Sequence, residues 1–236
     1  MKYLKKGELP VLTIISDAKS WLNDQIPLLI KHWTNSGYRC TWVHQPKDIP
    51  KGDICFILSY NKILGSEVLR KNNHNLVVHE SALPKGKGWS PLTWQILEGK
   101  SEITVTLFEA SEAVDSGPIY LQNIIKFEGD ELVEDLRKSQ ADSTLDLCRI
   151  FVAEFPMILK RARPQVGSES FYPKRSAENS RLNPYKTIAE QFNLLRVVDN
   201  ERYPAFFEWQ GQRYALKIEK VGNLLKVQQS GSCNSD

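Results

Sequence analysis

Short apolar runs alternate with longer amphipathic stretches along the first part of the chain. Runs with the length and the β-branched or aromatic content of buried strands occur at residues 11–15, 40–44 and 54–59. Ser16-Asp17 offers capping side chains for a helix predicted over residues 21–33, and Tyr60-Asn61 is predicted to begin another helix. Strands that alternate with helices imply a parallel sheet with right-handed crossovers.

The later part of the chain has a different pattern. Alternation and β-branching predict strands at residues 103–108 and 119–127. A long helix is predicted from Asp130-Glu131 to about residue 160, and Pro156 should end or kink its last turns. Beyond it the pattern predicts a linker at residues 161–170, a helix at 187–198, and strands at 213–219 and 224–228.

Together these elements predict an α/β fold, with an open, mostly parallel twisted sheet flanked by helices and a small C-terminal helix-plus-β-hairpin appendage. The predicted boundaries are residues 1–160 for the main domain, 161–228 for the appendage and 229–236 for a disordered polar tail. A chain of 236 residues is long enough to bury a sizeable core.

Composition limits the partners of the chain. With 31 basic and 28 acidic residues the net charge is +3, which is not the footprint of a nucleic-acid binder. Cys40, Cys55, Cys148 and Cys233 have no metal-ligand spacing, so we expect reduced thiols, no metal and a cytoplasmic protein. No apolar run approaches the ~18 residues of a membrane span and no signal-peptide core is present, so no membrane association is expected.

A histidine lies where ligands bind in open α/β sheets. Val77 and Val78 indicate the end of a buried strand, so His79 should emerge at the carboxyl edge of the sheet. The glycines and the proline of residues 81–88 make a helix or a β-strand directly after His79 unfavourable. An isolated histidine at a strand end is more often a structural hydrogen-bonding group than a catalyst.

Asp115 changes the interpretation of His79. It lies in a tight connection between the two strands predicted at 103–108 and 119–127. Asp before Ser-Gly is also a common turn former whose carboxylate bonds its own backbone. Beside His79, however, a carboxylate can orient the imidazole and stabilise its charged form, which favours a general base near neutral pH.

These motifs resemble the folate-dependent formyltransferases. The resemblance covers residues 53–147 and rests on five elements: the 53–64 segment, His79 with Leu83-Pro84, Pro91 with Trp94, residues 105–107, and Asp115-Ser116-Gly117. It implies a Rossmann-like formyltransferase fold, 10-formyl-tetrahydrofolate as co-substrate, and His79 and Asp115 as catalytic residues. It also implies that Ser59, Tyr60, Asn61 and Ile63 contribute to the folate pocket.

One family residue is missing. The family has asparagine two residues before its histidine, and this chain has Val77 there, which offers no donor for the formyl oxygen. Three outcomes stay open: another polar group such as Asn61, Ser81 or Asn75 takes the role, the backbone and a water take it, or catalysis is weak.

The loop after His79 carries candidate substrate contacts. Trp89 is suited to stack on a nucleotide base or sugar face, and Lys85 and Lys87 to meet phosphate. A glycine-flanked basic loop is equally often a solvated turn, so both interpretations stand.

The resemblance is strongest to nucleotide-sugar N-formyltransferases of the pseudaminic-acid type. About 65 residues follow the linker without a charge excess, which we take as unlike the larger basic barrel of methionyl-tRNA formyltransferases. The implied acceptor is a UDP-linked 4-amino-4,6-dideoxy-N-acetyl-altrosamine, and a homodimer is expected by analogy. By the same resemblance, the C-terminal tail shapes the acceptor site or the subunit interface. Phe206, Phe207 and Trp209 fit the core of a small hairpin module equally well. A formyl-tetrahydrofolate hydrolase and a non-catalytic binding protein for a sugar nucleotide or folate are the alternatives.

Overall fold

The apolar runs of the sequence form strands in the computed structural model, which describes residues 8–222. In chain order the strands are β1 (Leu12–Ile15), β2 (Cys40–Val43), β3 (Gly52–Ile57), β4 (Asn72–His79), β5 (Lys87–Gly88), β6 (Glu102–Glu109), β7 (Ile119–Lys126), β8 (Phe171–Tyr172), β9 (Ala205–Trp209) and β10 (Gln212–Leu216). The main sheet has six strands in the order β2-β1-β3-β4-β6-β7. The pairings β1–β2, β1–β3 and β3–β4 are parallel, whereas β4–β6 and β6–β7 are antiparallel. The predicted fold class is confirmed.

The helices are α1 (Ile26–Asn35), α2 (Ser66–Leu69), α3 (Pro91–Leu97), α4 (Val133–Ala153) and α5 (Phe192–Arg196). The start of the helix predicted over residues 21–33 is wrong, because α1 begins only at Ile26. A 3-10 turn, Trp21–Asp24, precedes α1 and is capped by Ser20, whose Oγ accepts the Leu22 N–H at 3.2 Å. Pro27 occupies the first turn of α1, where a missing N–H costs nothing.

Two other predicted helix boundaries are also wrong. No helix begins at Tyr60-Asn61: the segment after β3 is irregular, the Asn61 N–H donates to the Asp17 carboxylate at 2.9 Å, and α2 starts only at Ser66. The long helix ends at Ala153 and not near residue 160. Pro156 lacks an N–H and its ring would clash with the carbonyl four residues earlier, so a 3-10 turn, Met157–Arg161, continues the chain.

The core of the main sheet is buried on both faces. On one face Phe56 stacks on Trp33 of α1, with ring centroids 5.1 Å apart, and meets Phe151 of α4 edge-on at 6.3 Å. Cys55 and Ile57, the neighbours of Phe56 on β3, pack into a second cluster with Ile15. This burial on both faces explains why β1 and β3 are apolar runs and not alternating strands.

Of the described residues, 8–128 and 137–175 form one compact unit, and 129–136 with 176–222 form a smaller one. The predicted boundary at residue 160 differs from this division, because residues 161–175 group with the larger unit. There they pair with the segment after His79 through β5 and β8.

The smaller unit contains a β-hairpin and a short helix. Its strands are β9, which contains Phe206, Phe207 and Trp209, and β10, which begins and ends earlier than the strand predicted at 213–219. The helix predicted at 187–198 is reduced to a 3-10 turn followed by α5. Phe206 is buried, whereas Trp209 is exposed. The strand predicted at 224–228 and the polar tail lie outside the described residues.

Between residues 8 and 222 no helix is long and apolar enough to cross a membrane. Within the same range the cysteines Cys40, Cys55 and Cys148 are free thiols. Burial raises the pKa of Cys40 to about 11 and that of Cys55 to about 12, so both thiols are protonated at neutral pH.

Candidate active site

His79 is the last residue of β4 and lies opposite Thr106 of β6. Its side chain is buried, and its Nε2 lies 2.8 Å from the carbonyl oxygen of Gly86. A carbonyl oxygen can only accept, so Nε2 carries the proton and donates it. In the neutral ring Nδ1 is then the nitrogen with a free lone pair, and it is the atom able to act as a base.

Asp115 approaches His79 from the connection between β6 and β7. Its Oδ2 lies 3.8 Å from His79 Nε2 and accepts the Gly88 N–H at 2.9 Å. Both side chains are largely buried, at 8% and 14% exposed. The carboxylate and the imidazole are therefore within ion-pair distance of each other. The structure therefore brings together two predicted residues that are 36 positions apart in the sequence.

The backbone around Asp115 is closely fitted. Asp115 itself has a positive φ of 48°. A Cβ on Gly117 would lie 1.8 Å from the carbonyl oxygen of Glu109, so only glycine fits there. The Gln165 amide donates to the carbonyl oxygens of Asp115 at 2.8 Å and Gly117 at 2.9 Å. These contacts fix the loop that aims the carboxylate at His79.

Glu80 is a site residue that sequence reasoning missed. Burial raises the pKa of its carboxyl, and the nearby charge of Asp115 acts in the same direction, while His79 and a hydrogen bond with Gln140 oppose the rise. Its carbonyl oxygen accepts from Gln95 Nε2 at 2.6 Å. The signal that could have found it is its position directly after His79.

The predicted folate-binding residues follow β3 at the same edge of the sheet. The Ser59 carbonyl accepts the Asp17 N–H at 3.4 Å, and Ser59 has a positive φ of 47°. The Tyr60 hydroxyl is buried without a hydrogen-bond partner, and burial, with the charge of Asp17, raises its pKa. Asn61 is exposed, and Ile63 is 65% exposed.

Val77 is half-buried and packs against two apolar clusters, one with Ile57 and one with Phe108. Of the three suggested substitutes for the family asparagine, Asn75 donates its amide to the Leu69 carbonyl at 2.8 Å. Asn61 is exposed on the loop after β3. The Ser81 hydroxyl is buried without a partner.

The predicted substrate-binding residues differ in exposure. Lys85 is exposed and Trp89 is 41% exposed, so both are accessible to a ligand. Lys87 is 1% exposed, and its Nζ is bonded to Ser116 Oγ at 2.8 Å and Glu169 Oε1 at 2.6 Å. Lys87 is therefore bonded to other residues of the same chain, and its contact with substrate stays a prediction.

The segment at 165–172 is the other part of the site that the sequence did not reveal. Ser170 accepts the Lys87 N–H through its carbonyl at 2.9 Å, and its Oγ accepts the Gly86 N–H at 2.9 Å. Gln165 and Glu169 contact the Asp115 loop and Lys87, respectively. Residues 161–170 were predicted to be a linker. Their local sequence does not indicate these contacts, because the partners are far away in sequence.

An imidazole with a free nitrogen beside a buried carboxylate, at the edge of a mostly parallel sheet, defines an α/β protein with a candidate acid–base site. A family model described as "Formyl transferase" matches residues 11–147, more than half of the chain. The chain belongs to the formyl transferase family.

Known proteins extend this comparison. The chain is 26% identical over 170 residues to a methionyl-tRNA formyltransferase from Thermodesulfovibrio yellowstonii, covering 72% of this chain and 53% of the relative. The chain thus spans about half the length of that curated relative.

Two solved structures have the same fold. HypX from Aquifex aeolicus, in complex with tetrahydrofolic acid, is 17% identical, with a TM-score of 0.73 over 89% of this chain and 38% of HypX. A sugar N-formyltransferase from a Shewanella species is 14% identical, with a TM-score of 0.65 over 90% of this chain and 99% of the other.

Proposed function

We propose that this chain is an N-formyltransferase that moves the formyl group of 10-formyl-tetrahydrofolate to an amine. The observation that carries the proposal is the 3.8 Å approach of His79 and Asp115 in a chain of the formyl transferase family. The likeness to HypX in complex with tetrahydrofolic acid supports a folate as the formyl donor.

We assign the donor to the segment after β3. Ile63 offers an exposed apolar surface for a folate ring, and the buried Tyr60 hydroxyl has no protein partner. The exposed side chains of Ser59 and Asn61 would supply polar contacts, because the Ser59 carbonyl and the Asn61 N–H are already bonded to Asp17. Val77 fits less well, because an apolar side chain provides no donor for the formyl oxygen. Loss of one such donor typically costs ~10²–10³ in rate, so a slow enzyme is expected.

In the proposed reaction the formyl carbon is the electrophile. A neutral amine attacks it, and the amine proton passes to His79 Nδ1, because Nε2 is already protonated toward Gly86. The bond from the formyl carbon to the folate nitrogen then breaks, and His79 returns the same proton to that nitrogen. Asp115 stabilises the imidazolium between these steps. General base catalysis of this kind contributes typically ~10²–10⁴ in rate.

For the acceptor we propose the 4-amino group of a nucleotide-linked 4-amino-4,6-dideoxy sugar, with UDP-4-amino-4,6-dideoxy-N-acetyl-altrosamine as the best candidate. The likeness to a sugar N-formyltransferase supports this class. Trp89 and Lys85 are exposed on the loop that follows His79, where a sugar nucleotide would need an aromatic face and a cation.

A second candidate acceptor is methionyl-tRNA, because the curated relative is a methionyl-tRNA formyltransferase. Such a substrate would be held mainly through its phosphates, and its binding would weaken steeply with salt. Binding of a sugar nucleotide would respond less to salt.

The test is an acceptor screen with purified protein and 10-formyl-tetrahydrofolate. Product mass is measured with UDP-linked amino sugars, with methionyl-tRNA and with no acceptor. We expect a mass gain of one formyl group on the amino sugar. If only methionyl-tRNA is formylated, it is the acceptor and the amino sugar is not. Release of tetrahydrofolate without any acceptor would indicate a formyl-tetrahydrofolate hydrolase. Formation of no product with any acceptor would indicate a non-catalytic binding protein.

The roles of the two side chains are tested by substitution. We expect His79→Gln to lower kcat by about 10²–10⁴ and Asp115→Asn to lower it strongly, because one removes the base and the other its charge partner. His32→Gln and Asp48→Asn, both at exposed positions, are the matched controls and should be fully active. Unchanged kcat in both site variants, with correct folding, would refute the assignment.

A further inference from the structure

A cavity of about 420 Å³ lies beside the Asp115 loop. Its size is within the range of small-molecule sites. It is lined by Pro84, Lys87, Ser116, Pro118, Ala162, Pro164, Gln165, Gly167 and Glu169. Among these lining residues Lys87 carries positive charge and Glu169 negative charge.

The two charged residues are held in different ways. The Lys87 side chain is 2% exposed, whereas that of Glu169 is 54% exposed. Lys87 Nζ donates to Ser116 Oγ and lies 5.8 Å from the ring centroid of Phe171. The cation is therefore part of the cavity wall, and the carboxylate reaches it from the surface.

A buried ammonium requires an anionic partner, because removal of that partner leaves an uncompensated charge. The partner need not be Glu169, since any anion in the cavity would serve. A phosphate that enters while Glu169 stays bound would meet the Glu169 carboxylate on the same ammonium group. If a phosphate replaces the Glu169 carboxylate, the Lys87 ammonium keeps an anionic partner.

We propose that this cavity is an anion site in which Glu169 occupies the place of a phosphate group on Lys87. The class of ligand is a phosphorylated small molecule, and the diphosphate of a nucleotide sugar is its source if the proposed function holds. Binding displaces Glu169 from Lys87 and leaves the Lys87–Ser116 contact in place. The ligand anion then lies next to the loop that carries Asp115.

The proposal is tested by calorimetric titration of the whole protein with inorganic pyrophosphate, UDP and uridine. Wild type should bind pyrophosphate and UDP weakly and uridine not at all. Glu169→Gln removes the internal competitor, so both phosphorylated ligands should bind about 10- to 100-fold more tightly, the range of a lost hydrogen bond to a charged group. Lys87→Met should abolish binding of both.

Glu102→Gln is the control, because Glu102 pairs with a lysine, Lys126, at 2.8 Å, and both of these side chains are exposed. It should bind pyrophosphate as wild type does. Equal affinities of wild type and Glu169→Gln would overturn the proposal and leave Lys87–Glu169 as a structural pair.

A second measurement needs no variant. Pyrophosphate should increase amide hydrogen exchange of wild type at residues 166–169, because Glu169 loses its partner. Saturation with pyrophosphate without this increase would also overturn the proposal. Neither measurement uses folate or an amine. If pyrophosphate displaces Glu169 but no formyl transfer is found, only the proposed function is refuted. If formyl transfer is found but pyrophosphate does not displace Glu169, only the anion site is refuted.

Discussion

At the scale of single residues, the environment of each side chain sets its chemistry. His79 and His74 are both on β4 and both buried, yet His74 Nδ1 contacts the Glu109 carboxylate at 3.2 Å. In His79 the Gly86 carbonyl fixes the tautomer, and the carboxylate of Asp115 is at 3.8 Å. A general base needs a free nitrogen, so we place the proton-transfer role on His79 Nδ1.

Glu80 makes stability depend on pH. Burial raises the pKa of its carboxyl, so the folded chain retains this proton to higher pH than the unfolded chain does. Stability should therefore fall as pH rises from the usual Glu pKa of about 4.3 through the raised value. Glu80→Gln stays neutral, so it should be more stable than wild type at pH 7 and equal to it below pH ~4.

Chemical denaturation from pH 3.5 to 8 measures this difference. Glu190→Gln is the control of opposite sign, because hydrogen bonds from the Thr187 backbone and side chain lower the pKa of Glu190. It should be less stable than wild type at pH 7 and approach it at low pH. An identical pH profile for Glu80→Gln and wild type would contradict the burial of a protonated Glu80.

At the scale of elements, loops hold the site and the strands set its position. The segment after His79 has no regular structure except β5, and it is held by β8. The Asp115 loop is held by the side chain of Gln165. Residues 165–172, beyond the long helix, therefore support the site and are not a spacer.

Gln165 is a positioning residue in this arrangement. Gln165→Leu and Gln165→Glu both lose the two N–H donors to Asp115 and Gly117. Because small misplacement of a reacting group can cost about 10²-fold in rate, we expect kcat to fall at least tenfold with a smaller change in KM. Steady-state formyl transfer and the pH profile of kcat measure the effect.

The exposed Gln45 provides the control for Gln165, and Gln45→Leu should behave as wild type. A Gln165→Glu variant with wild-type kcat would show that the volume of the side chain, and not its donors, supports the loop.

At the scale of the whole molecule, one aromatic cluster joins the sheet to its helices. Phe56 contacts Trp33 and Phe151 and is fully buried. Phe56→Ala should therefore lower the free energy of unfolding by about 3–5 kcal/mol. Phe171→Ala removes a ring that is 61% exposed and should change stability far less. Urea unfolding at pH 7 compares the two variants, and similar losses would argue against Phe56 as the centre of the core.

The sequence by itself determined the central strands, because residues 12–15 and 54–57 are buried on both faces and must be apolar. It also singled out His79 and Asp115, which the structure brings within 3.8 Å of each other. The local pattern was wrong after β3, where the segment is irregular and the Asn61 N–H pairs with Asp17, 44 residues away.

Only the tertiary structure decided that Lys87 is buried against Glu169 and that Gln165 supports Asp115, across separations of 82 and 50 residues. Exposure and pairing of such side chains depend on which segments meet in space. A glycine-rich basic loop and a polar linker have the same sequence whether they contact each other or water, so only the fold distinguishes these cases.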